Sequence, residues 1–264
     1  MKFAWLCLGL VSFGSYAANH SDGSVSAYRP LRTDYTVFER RALGKAHGPK
    51  ILRVTPLNTA RAFAGMPPAS VTHWRSLQEL QKRFEGIRDK RFLTAASDDA
   101  EPRRISWLYP KDGCFARAAL ANRLAFHMYI PVPDKVFAFG NLRVDTDNTR
   151  RGVVGWWYHV APIVQVSATK YVLDPAIEHA RPLPLPEWLD RMGDPKKIKV
   201  AFCGSGTYSP GDDCRKETDG LEARALRAQR HYLALEEREL ERMGRDPERE
   251  LGETPPWEID AATR

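Results

Sequence analysis

Three residue types at telling positions could do chemistry together in this chain. Cys114 follows Asp112-Gly113 and opens an alanine-rich run that reads as helix, "CFARAALANRLAFHM". Asp-Gly predicts a tight turn, which sets the sulfur at a helix N-terminus. There the unpaired backbone N–H groups and the macrodipole favour an anion, and cysteine thiols ionise more readily. A thiolate nucleophile needs a base, and the base needs a group that holds its ring in one tautomer. His159, in "WWYHVA", is the candidate base, and Asp174, in "YVLDP", is the candidate orienting acid. Each also has a plainer role: a buried structural thiol, a core histidine, a turn residue at a strand end. The other six histidines, among them His127 far down the Cys114 helix, lack a strand-plus-carboxylate setting.

The elements around these residues must bring them together. "VVGWWYHVAPIVQV" and "KYVLDP" are β-rich runs separated by "SATK", the pattern of an antiparallel hairpin. Such a hairpin carries His159 and Asp174 on adjacent strands, with its register open. Pro162 predicts an edge or a bulge. Alternation puts Trp156 and Tyr158 on one face, away from His159, where they pack. "KVFAFGNLRV" reads as another strand, "DTDNTRRG" as a turn and "ISWLY" as a short strand. Ser76 and Glu79 form a capping-box pattern, and Leu77, Leu80, Phe84 and Ile87 recur at helical spacing as a buried stripe. "RPLPLPEWLDRM" reads as irregular. From Asp219 a charged helix carries a weak stripe of Leu221, Ala225, Ala228, Tyr232 and Leu235. It reads as a surface helix, followed by a disordered tail around Pro255 and Pro256. The fold class expected is α+β.

The N-terminus reads as an export signal. Lys2 precedes the apolar run "FAWLCLGLVSFG", and "SYAAN" offers a cleavage site after Ala17 or Ala18. The apolar run is too short to span a bilayer, so no membrane association is expected after cleavage, and the location expected is secreted or periplasmic. Of four cysteines, Cys7 leaves with the signal. Cys203 and Cys214 bracket a Gly, Ser, Pro and Asp loop and should pair in an oxidising compartment, stabilising the fold by roughly 3 kcal/mol. Cys114 then stays single, and an idle thiol there would risk oxidation. No cysteine or histidine lies at ligand spacing from these residues, so no metal is expected. The net charge of +7 comes from 40 basic and 33 acidic residues scattered along the chain. Scattering of both signs describes a solvated surface and no nucleic-acid site.

A helix-N-terminal Cys, a strand His and a next-strand Asp, in that order, is the arrangement of papain-like and transglutaminase-like cores. More specifically, "YPKDGCFARA", "FAFGNL", "YHVA" and "LDP" together resemble the bacterial protein-deamidating glutaminases over about Leu77 to Pro175. That resemblance implies a nucleophile helix packed on an antiparallel sheet, with Cys114 as nucleophile, His159 as general base and Asp174 as orienting acid. It implies hydrolysis of exposed glutamine side chains in proteins to glutamate, with ammonia released and no cofactor. Ala119 departs from the family, whose members often have histidine there, and the charged C-terminal helix has no counterpart.

The implied route is acyl transfer through a thioester, with the backbone N–H of Cys114 contributing to an oxyanion hole. A transglutaminase or a thiol protease would use the same triad, and a secreted toxin or effector acting by binding would not use it. The domain reading is a signal peptide over 1–18, a leader over 19–71 that suits a removable cover of the cleft, a catalytic domain over 72–218, and a C-terminal helix and tail over 219–264.

Overall fold

A computed structural model of the 264-residue chain describes residues 71–94, 101–210, 212, 214 and 216–262. The signal segment, the leader with its strand-like runs and "GMPPAS" lie outside the described residues.

The fold is α+β. Strands β1 (Asp134–Asp145), β2 (Val153–Val166), β3 (Thr169–Val172), β4 (Leu183–Pro184) and β5 (Lys199–Cys203) form one sheet in the order β4-β3-β2-β1-β5. All of its pairings are antiparallel. Helices α1 (Leu77–Asp89), α2 (Cys114–His127), α3 (Leu185–Asp190), α4 (Leu221–Arg242), α5 (Pro247–Leu251) and α6 (Pro256–Ala262) complete it. One sheet face builds an aliphatic core from Val136, Ala138, Leu142, Ala161, Ile163 and Val172, closed by Trp188 of α3.

Local chemistry explains the element ends. Ser76 caps α1 by accepting from the Glu79 N–H at 3.1 Å, and the Glu79 carboxylate accepts from the Arg75 N–H at 2.7 Å. Leu80, Phe84 and Ile87 are buried as expected, but Leu77 in the first turn is 58 % exposed, so the stripe begins one turn later. The β2–β3 hairpin turns at Ser167, which takes φ +53°, and its ladder ends with Ile163 opposite Val172. Pro162 sits at that end. It lies in a central strand, not an edge strand, and the next neighbour, Leu173, donates its N–H to the Pro162 carbonyl at 2.9 Å. Proline has no N–H to return, so pairing stops there and the chain turns away just before Asp174.

Three expectations need correction. "ISWLY" forms no strand, and the adjoining Arg103 makes only an isolated bridge to Leu93. Its polar backbone is served by side chains instead of a ladder: the Leu108 N–H donates to Glu236 at 2.9 Å. Helix α4 is more than a surface helix. It packs on α2 and buries Ala225, Ala228 and Tyr232 of the expected stripe, together with Gln229, Glu236 and Glu239. The tail around Pro255 and Pro256 is ordered: the Arg104 guanidinium donates to the carbonyls of Gly252 and Glu253, and α6 follows. Cys203 and Cys214 do form a disulfide, which fastens the end of β5 to the loop beyond it.

Candidate active site

Cys114 is the first residue of α2 and forms no disulfide among the described residues. The turn before it is fixed from both sides. The Asp112 carboxylate accepts from the Gly113 N–H at 2.7 Å, and Gly113 takes φ +84°. A Cβ at Gly113 would stand 2.7 Å from ring carbons of Tyr232 on α4. Glycine is therefore required here both by backbone conformation and by the ring packed against it. Tyr232 also stacks on Tyr109 and meets Phe115 edge to face, each with centroids 6.1 Å apart. Lys111 reaches Glu239 of α4 as an ion pair. A small-residue surface lets α2 lie close to its neighbours, with Ala116, Ala118, Ala119, Ala121 and Ala125 all buried.

Helix α2 packs against β2, the strand of His159. His159 Nε2 lies 2.7 Å from Asp174 Oδ2, and the same oxygen accepts from the Trp188 indole N–H at 3.0 Å. The other imidazole nitrogen, Nδ1, is buried with no hydrogen-bond partner. When Nε2 carries the proton shared with Asp174, Nδ1 presents a lone pair. Burial works against the Asp174 carboxylate, but the adjacent His159, the bonds from His159 and Trp188, and the charge of Arg117 together hold its pKa below the ordinary value. Asp174 is thus an anion that fixes the ring. Cys114, His159 and Asp174 are 2 %, 1 % and 5 % exposed, so all three are shielded from solvent.

The aromatic residues around His159 are not where alternation puts them. Ala138 pairs with His159 and Leu142 with Trp156, so four steps along β1 match three along β2. This irregularity is a β-bulge, which breaks the two-residue period. Trp156 therefore stacks on the His159 ring, with centroids 4.5 Å apart and planes 17° from parallel. Its indole N–H donates to the Pro110 carbonyl at 3.0 Å. Trp156 thus joins the strand of His159 to the turn that leads to Cys114. Tyr158 does pack away from this cluster, stacked on Phe137.

Sequence reasoning missed Trp188, Trp156 and Arg117. Trp188 lies in a proline-bounded stretch with no periodicity to mark it. Arg117 does leave a signal, a charged residue at i+3 from Cys114 within an alanine-rich helix. It is buried, and its Nη1 donates to the carbonyls of Tyr109 and Asp112 at 2.8 and 2.6 Å. No group of three or more potential metal ligands occurs among the described residues.

Residues 80–192 match a family model described as glutaminase. The match spans less than half of the chain and likens this segment to the glutaminases. The matched segment contains Cys114, Arg117, Trp156, His159, Asp174 and Trp188, whereas α4 lies beyond it. Among solved structures, the chain is similar to a crystal structure of protein-glutaminase at 22 % identity, covering 62 % of this chain and 90 % of that one, with a TM-score of 0.48. A crystal structure of pro-protein-glutaminase is 21 % identical over 64 % of this chain and 62 % of its own length, with a TM-score of 0.48. An NMR structure of protein-glutaminase from Chryseobacterium proteolyticum is 22 % identical, covering 57 % of this chain and 84 % of that one, with a TM-score of 0.46. No curated protein matches the chain.

Proposed function

We propose that this chain is an exported protein-glutamine glutaminase that uses Cys114, His159 and Asp174 as a catalytic triad. The observation that carries the reading is the buried bond of 2.7 Å between His159 and Asp174, with the opposite ring nitrogen unoccupied, inside a segment that matches the glutaminase model. The Cys114 sulfur attacks the side-chain carboxamide carbon of a protein glutamine and forms a thioester. The carbon–nitrogen bond breaks, and the imidazolium of His159 gives its proton to the departing ammonia. His159 then takes a proton from water, the hydroxide attacks the thioester, and glutamate leaves as the sulfur is released. Asp174 keeps the ring oriented and stabilises it when charged. The net change is one water consumed and one ammonia released per glutamine, and the chain's own side chains supply every group named.

The shielding of all three residues means that a substrate side chain enters only after a cover moves. The reading includes the leader over 19–71 as a removable cover, and deamidation before and after limited proteolysis near residues 65–72 tests it: equal rates in both forms rule the cover out. Export is supported by the signal-like N-terminus and by the Cys203–Cys214 disulfide. No helix among the described residues is long and apolar enough to cross a membrane.

The decisive experiment is ammonia release from a soluble protein, wild type against Cys114→Ser. Loss of the nucleophile should lower the rate by about a thousandfold or more, with an intact monomeric product in the wild-type reaction. Crosslinked ladders would mean transglutamination and fragments would mean proteolysis. An unchanged rate in Cys114→Ser would defeat the triad reading altogether.

A further inference from the structure

Arg117 lies one turn after Cys114 on α2 and is 2 % exposed. Two features set it apart from an ordinary surface arginine. Its Nη1 spans two carbonyls of the turn that ends at Gly113, those of Tyr109 and Asp112, while its Nη2 is buried with no hydrogen-bond partner. Among the described residues it enters no ion pair. Desolvating a guanidinium is costly, its charge acts on the nearby Asp174 and Glu236 carboxylates without a close ion pair, and an alkyl chain would fill the same space without that cost. Residues at i and i+3 share a helix face with Cβ atoms about 5–6 Å apart, and the bonds to Tyr109 and Asp112 hold the guanidinium at the turn that leads into Cys114.

We propose that Arg117 is a positioning residue, clamping the 109–113 turn so that Cys114 is presented correctly and supplying the positive charge that keeps its sulfur ionised. The inference rests on the reading of Cys114 as nucleophile, and it adds a second source of thiolate stabilisation to the helix N-terminus. The lowered pKa of Asp174, to which the Arg117 charge contributes after burial, His159 and Trp188, agrees with a positive field at this point. Other charged or titratable groups surround this end of α2: Asp112 and Lys111 in the turn, His159 on β2, Asp174 after β3, and Glu236 and Glu239 on α4. The tyrosines Tyr109, Tyr208 and Tyr232 pack around Phe115 and the turn. Glu236 titrates near neutrality, so Glu236→Gln serves as a control for its own ionisation.

The test measures the ultraviolet absorbance of the thiolate against pH in the full chain, taken as the difference from Cys114→Ser. This readout needs neither substrate nor solvent access to the sulfur. Wild type should give a midpoint below that of free cysteine, and Arg117→Met should raise it by at least about one pH unit. Arg117→Lys keeps the charge but lacks the planar fork that reaches two carbonyls. It should hold the wild-type midpoint and lower kcat/KM for ammonia release by about tenfold or more. Thermal melts of each variant establish folding, and if Arg117→Met does not fold, Arg117→Lys alone still decides the clamp. A folded Arg117→Met with the wild-type midpoint overturns the electrostatic part, and Arg117→Lys with the wild-type kcat/KM overturns the clamp. A wild-type thiol that titrates like free cysteine would instead sink the nucleophile reading itself, so the two failures are distinguishable.

Discussion

Substituting alanine for Gly113 is the sharpest perturbation of the turn before Cys114. At φ +84° an L-residue costs about 1–2 kcal/mol more than glycine. The added Cβ would also stand 2.7 Å from Cδ2 and Cε2 of Tyr232, and relieving that overlap costs about 1–3 kcal/mol. The total, about 2–5 kcal/mol, corresponds to a fall in Tm on the order of 10 °C for a chain of this size. A double-mutant cycle separates the two terms. With Tyr232→Leu in the background the ring edge is gone, so Gly113→Ala should cost only the backbone part. The coupling energy between the two sites should then be about 1–3 kcal/mol, read from urea or thermal unfolding of the four chains. Ammonia release measured in parallel should fall more steeply in Gly113→Ala than stability does, because the displaced residue adjoins Cys114. A coupling energy of zero, or Gly113→Ala melting with the wild type, would refute the packing of α4 against the turn.

Three further outcomes follow from the same contacts. Trp188→Phe removes one donor from the Asp174 carboxylate and should cost about 1.5–3 kcal/mol of stability, with ammonia release reduced about tenfold or more, both measurable on one preparation. Burial, working against the pull of Arg103, raises the Glu236 pKa to about 7. The folded chain therefore holds that proton longer than the unfolded chain, and the stabilisation, complete below the unfolded value, is lost as pH rises through about 7. It amounts to about 3 kcal/mol, so wild-type Tm should decline between pH 5 and 8 and Glu236→Gln should flatten that part of the profile. Replacing both Cys203 and Cys214 by serine should lower stability by about 3 kcal/mol, visible as a reduced Tm that reductant no longer affects.

What could be read from sequence was whatever had a period or a punctuation mark. The long strands β1 and β2 and the helix α1 announce themselves through hydrophobic spacing, and the Ser76 cap and the "SATK" turn mark their ends. The meeting of His159 and Asp174 was accessible because a short hairpin leaves few places for a strand-end carboxylate. The stacking of Trp156 on His159 was not, because a β-bulge shifts the side-chain period without any local sign in β2. Trp188 reaches Asp174 only through tertiary packing of an aperiodic segment. Helix α4 looked solvent-facing because its residues are charged, yet Glu236 and Glu239 turn inward and find Arg103, Leu108 and Lys111. Charge signals exposure only when no partner waits in the interior. The same holds for the tail, whose order depends on Arg104, a residue about 150 positions away.

The brace that α4 gives the Cys114 turn has a consequence for the order of events in making the protein. Leu108 and Glu236 are 128 positions apart, as are Lys111 and Glu239. During N-to-C synthesis the thiol, the imidazole and the carboxylate all emerge well before the helix that wedges Tyr232 beneath Gly113. A nascent chain thus holds all three side chains while the turn beneath its sulfur is still unsupported, and the final geometry waits for α4 to emerge.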